Sequence, residues 1–119
     1  MRLAAVILVA MGSASAFAAD LGPEDIRAEL VGQTIEWWSD GGWLGGALML
    51  LPDGHAEIEL TSPKTGHDVG RWSIEGRRLC TVWTALRDGA PICYTIRPAG
   101  IGRFVTSGGN VFEVRSAGV

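Results

Sequence analysis

From Gly32 onward, apolar and polar residues alternate along most of the chain, and glycine-bearing reversals interrupt the alternation about every ten residues. Residues 33–38 put Ile35 and Trp37 on one face and Glu36 and Trp38 on the other. Residues 47–51 and 55–61 flank Pro52-Asp53-Gly54, a strong hairpin signal. The second of these segments sends Ala56, Ile58 and Leu60 one way and His55, Glu57 and Glu59 the other. Residues 68–74 follow, with Trp72 and Ile74 inward, and residues 102–106 and 110–115 close the chain around Ser107-Gly108-Gly109.

The stretch 70–97 is the most informative, because it predicts a three-strand meander turning at Glu75-Gly76-Arg77 and Arg87-Asp88-Gly89. Placing Cys80 opposite Cys93 sets Leu79 against Tyr94, Thr81 against Ile92 and Trp83 against Ala90. Period-two alternation then collects Leu79, Trp83, Ile92, Tyr94 and Ile96 on a core face. Cys80, Val82, Thr84, Cys93, Thr95 and Arg97 fall on the outer face, where truncating Thr84 is expected to matter little.

Ahead of the strands, residues 23–31 predict a short amphipathic helix. Pro23 stands at its start, acids fill the first turn, Ile26 and Leu30 share an edge, and Gly32 follows its end. Too short to be stable alone, it must dock on one end of the domain. The pattern as a whole predicts an all-β fold, an antiparallel up-and-down (lipocalin-like) barrel of about eight short strands with one N-terminal helix. Its last strand pairs with its first, and its interior is just wide enough to be filled by side chains or to hold one small ligand. The glycine-rich octet 39–46 predicts a wide turn or a bulged strand start, and it lacks the spacing of a phosphate loop.

Gly32-Gln33-Thr34, Trp38-Ser39-Asp40-Gly41, Pro52-Asp53-Gly54, Gly70-Arg71-Trp72, Leu79-Cys80 with Trp83, and Cys93 occur here in that order. In this order of features the chain resembles a proteobacterial family of small secreted proteins catalogued only as a domain of unknown function. The resemblance implies the fold and export, and it brings no activity with it.

The N-terminus changes the picture of where the protein works. Arg2, an apolar run over residues 3–11 and a terminal Ala16-Phe17-Ala18 match a secretory signal cut after Ala18, and the run is far shorter than the ~20 residues a membrane span needs. The expected organisation is therefore a signal peptide over 1–18 and one β-barrel domain over 19–119, periplasmic or secreted. The net charge of −3 argues against nucleic acid and anionic membrane surfaces as partners. Two cysteines in an exported chain read as one disulfide, Cys80–Cys93.

No cofactor motif is present. His55, Glu57 and Glu59 share a strand face, with His67-Asp68 within reach on paper, but H-x-E-x-E matches no fixed zinc spacing. No G-x-S-x-G elbow accompanies the serines. The five tryptophans are the richest feature. Trp72 and Trp83 read as core, whereas Trp37, Trp38 and Trp43 surround the glycine-rich segment. Parity points Trp37 inward and Trp38 outward, to be covered by the helix or by a partner, with Trp43 closing over the same spot. The leading expectation is a non-enzymatic binding protein for a small apolar or aromatic ligand at Trp37, Trp38 and Trp43. One alternative is a periplasmic inhibitor or accessory protein docking on another exported protein. Another is a hydrolase or metal enzyme using His55, Glu57 and His67.

Intact-mass analysis of protein recovered after export should show a chain beginning near Ala19 that takes up no alkylating agent until it is reduced. Two alkylatable cysteines without reductant would contradict the disulfide.

Overall fold

The computed structural model describes residues 19–115, and the expected signal peptide, residues 1–18, lies outside the described residues. One helix, α1 (Pro23–Leu30), precedes the strands β1 (Thr34–Ser39), β2 (Gly45–Leu50), β3 (His55–Ser62), β4 (Gly66–Glu75) and β5 (Arg78–Trp83). A 3-10 turn (Leu86–Gly89) then leads to β6 (Ile92–Tyr94), β7 (Ile96–Gly100), β8 (Arg103–Thr106) and β9 (Asn110–Val114). The strands form one antiparallel sheet in the order β6-β5-β4-β3-β2-β1-β9-β8-β7, rolled into a nearly closed barrel. As the alternation predicts, the last strand pairs with the first, from Ile35 opposite Val114 to Ser39 opposite Asn110.

There are nine strands rather than about eight because one predicted strand divides at Thr95. Its first part pairs with β5 and its second with β8. Between them the Thr95 N–H donates to Ser107 Oγ (3.0 Å) and the Thr95 carbonyl accepts from the Ser107 N–H (3.0 Å). The two edges of the sheet are thus consecutive in the chain, and a single residue joins them.

In the meander, Leu79 opposes Tyr94, Cys80 opposes Cys93 and Thr81 opposes Ile92, as the cysteine register requires. The Cys80–Cys93 disulfide is formed across a Cα separation of 4.0 Å. The ladder stops at that point. Trp83 does not oppose Ala90, because residues 84–91 leave the sheet as a loop rather than a tight turn. Leu79, Trp83 and Ile96 are buried and Val82 is exposed, as parity demands. Thr84 is exposed but not idle: its N–H and its hydroxyl both donate to the Val69 carbonyl (3.0 and 2.8 Å), so its truncation is no neutral change.

Strand directions give the barrel two ends. Connections 51–54, 76–77 and 101–102 lie at one end, here the floor, and 40–44, 63–65, 84–91 and 107–109 at the other, the mouth. The floor is plugged by α1. Its Ile26 and Leu30 are fully buried among the equally buried Ile35, Leu50, Leu79 and Ile96. Backbone bonds from Leu21 N–H to the Ile96 carbonyl (2.7 Å) and from Gly32 N–H to the Leu50 carbonyl (2.8 Å) fix the helix at both ends. Because the helix has no side-chain cap, this docking rather than its own hydrogen bonds holds it. Trp72 closes the flank, donating from Nε1 to the Leu51 carbonyl (2.7 Å) beneath the Arg27 guanidinium. Above it, Gly70 lets β4 press against β5: a Cβ there would run into the Val82 carbonyl and the Trp83 ring.

Trp83→Ala is expected to cost ~3 to 5 kcal/mol and the exposed Val82→Ala under ~1 kcal/mol. Urea unfolding of the two variants checks this, and equal midpoints would contradict the inward placement of Trp83.

Candidate ligand-binding cavity

Side chains that point inward near the floor are covered by α1, but among the described residues no element covers those nearer the mouth. A cavity of about 290 Å³ results, walled by Trp37, Leu48, Ile58, Trp83, Tyr94 and Phe112 from six different strands. Tyr94 and Phe112 meet edge to face, with ring centroids 6.0 Å apart. Thr81, also inward, adds a hydroxyl to the wall. Leu44, Leu86, Arg87, Gly108 and Asn110 form the rim.

One polar atom of the residues that line the cavity is left without a partner. The indole N–H of Trp37 is shut off from solvent and has no hydrogen-bond partner. Orphaned donors of this kind are rare in folded proteins and call for an explanation. Burial pushes the Tyr94 phenol well above its usual range, so it stays neutral at any physiological pH.

One side of the rim is held by a buried acid. Asp68 Oδ2 accepts from the N–H groups of Ala85 (2.9 Å) and Leu86 (2.8 Å), and Oδ1 accepts from Val69 N–H (2.8 Å). The Leu86 bond leads the causes that hold its carboxyl below the usual range; desolvation opposes them, and the Ala85 and Val69 bonds add to the lowering. Beyond this anchor the backbone turns left-handed over three successive residues, Arg87 (φ 55°), Asp88 (φ 54°) and Gly89 (φ 74°). Only the last is a residue type that adopts this region freely.

The three tryptophans expected to bind ligand part company. Trp37 faces inward and lines the cavity. Trp38 faces outward, with the Arg103 guanidinium 5.5 Å from its ring, and Glu113 in turn holds that arginine (2.8 Å). The helix does not cover Trp38, since α1 sits at the floor and Trp38 lies near the mouth end of β1. Nor does Trp43 close over it. Trp43 is 76% exposed on a turn made by Gly41 and Gly42, both at positive φ.

The histidines are not brought together. His55 opposes Arg71 at the floor end and pairs with Asp53 (2.9 Å), while His67 opposes Glu59 toward the mouth. His55, Glu57, Glu59 and His67 are all exposed on the outer wall. Among the described residues the one cluster of three possible metal-ligand side chains is Glu75, Cys80 and Cys93, whose cysteines are already spent in the disulfide. Arg87, Tyr94 and Phe112 are the wall and rim residues that sequence reasoning assigned elsewhere. Thr81, a hydroxyl on an otherwise apolar inward face, is the one signal that this face is not all core.

Comparison with protein families, with curated proteins and with solved structures finds no match to this chain.

Because the folded state lowers the Asp68 carboxyl, its hold on the rim loop is complete above the ordinary carboxylate pKa and is lost as pH falls through the depressed value. Hydrogen exchange, corrected for intrinsic rates, should show Ala85 and Leu86 protection flat above about pH 5 and falling below about pH 4. Asp68→Asn should lower that protection already at neutral pH and flatten the acid response. A variant indistinguishable from the parent would contradict the anchor.

Proposed function

We propose that this is an exported, non-enzymatic binding protein that holds one small apolar or aromatic molecule in the mouth of its barrel. The observation that carries the reading is the open cavity at the mouth of the barrel, walled by four aromatic rings. Ligand sites are concave and mostly apolar, with a few polar groups to orient the guest. At about 290 Å³ this one lies at the small end of such sites and suits a guest of one or two fused rings. Export rests on the signal-like residues 1–18 and agrees with the disulfide, which persists in oxidising compartments.

A second reading has its own observation. Trp43 and Leu44 project into solvent on a glycine turn (76% and 46% exposed), as an anchor for another exported protein would. Capture of a partner that Trp43→Ala abolishes and a filled cavity leaves intact would favour docking over ligand binding.

Calorimetric titration with 2-naphthol should give saturable binding at one site. Ile58→Trp, which fills the cavity, should weaken it by at least about tenfold while the unfolding midpoint is kept. Absence of saturation, or equal binding by the filled variant, would overturn the proposal.

A further inference from the structure

Among the described residues, Arg87 is the only charged one that lines the cavity, and no carboxylate does. The ion pairs among the described residues join Asp53 to His55, Glu75 to Arg78, Glu113 to Arg103 and Glu36 to Arg115, and all leave Arg87 unpaired. Arginine can only donate hydrogen bonds, whereas the neutral Tyr94 phenol, the Thr81 hydroxyl and the Asn110 amide can each donate or accept. A guest that pairs with the rim must therefore bring an acceptor to Arg87, and a negative charge suits it best.

The backbone adds an independent observation. Arg87 sits at φ 55° and ψ 27°, followed by Asp88 at φ 54° and ψ 31°. For residues with a Cβ this conformation is costly, and it persists only where the surroundings impose it, most often at functional sites. It follows directly on the two residues that Asp68 ties down, Ala85 and Leu86. Its carboxylate is occupied by backbone N–H groups and does not neutralise the arginine. In a chain of net charge −3, an unpaired cation is thus held at the opening of an apolar cup.

We infer that the cavity is selective for a small monocarboxylate, an aromatic or aliphatic acid that enters apolar end first and leaves its carboxylate at Arg87. This rests on the cavity reading above and narrows it. The planar guanidinium matches a carboxylate with two parallel hydrogen bonds. A dianion such as a phosphate ester would bring a second charge that one arginine cannot meet among apolar walls, and a cationic guest would meet repulsion and no counter-charge.

The test compares 2-naphthoate with the isosteric neutral 2-naphthamide on the full domain at neutral pH. The parent protein should bind the acid at least about fivefold more tightly than the amide, a preference that shrinks as salt screens the rim. Arg87→Gln should bind the two probes alike, and Arg87→Lys should keep part of the preference. Arg87→Gly should lose the preference while holding or raising the unfolding midpoint, since glycine accepts φ 55° without strain. A stability loss in Arg87→Gly would instead assign the arginine a structural role. Equal binding of acid and amide by the parent overturns the anion selection and leaves the cavity reading standing, whereas saturation by neither probe overturns both.

Discussion

The architecture depends on one strand serving two neighbours. The chain from Ile92 to Gly100 gives its first residues to β5 and its last to β8, and Thr95 makes the exchange with both backbone groups bonded to Ser107. A flat sheet of nine strands would carry two free edges at opposite sides, each a template for pairing with another chain. Here the edges meet. The disulfide fixes the first half of that strand to β5, and the bond from Leu21 to Ile96 fixes the second half to the floor. Tyr94 and Ile96, on either side of Thr95, share one face and both point inward.

Closure leaves an interior to be filled, and the described residues fill it at the floor but leave a cavity at the mouth. The floor receives Ile26 and Leu30 from α1, and Trp72 and Phe104 complete a packed layer. Among the described residues the mouth has no equivalent contribution, and its aromatic side chains line a space without occupying it. Burial that would ordinarily be complete is thereby forgone at Ile58, which is only half-buried. The proposed guest would restore it.

The sequence made legible whatever depends on period two. The meander register, the inward Trp37 and outward Trp38, and the pairing of last strand with first all follow from alternation plus one cysteine pair. The division at Thr95 was not legible. Changing partners there preserves parity, so Ile92, Tyr94 and Ile96 read as one uninterrupted strand. The left-handed turn was hidden for a different reason. Arg87-Asp88-Gly89 reads as an ordinary reversal because a glycine ends it, and the anchor just before it is Asp68, which reaches Leu86 across 18 residues of chain. The placing of Trp38 under the helix failed on geometry that the sequence did contain. A helix that leads directly into β1 lies beside the start of that strand, and Trp38 is four residues further on, at ~3.4 Å per residue.

Floor and mouth are also separate in what they ask of evolution. At the floor, residue identity is set by close packing, and a change at Ile26, Leu79 or Ile96 is felt by the whole fold. The rim is built from connecting segments, in which Trp43, Leu44 and Arg87 touch solvent. On the proposed reading, a lineage carrying this scaffold could drift in what its mouth holds while its shape stays put. Descendants would be related by their floors and told apart by their mouths.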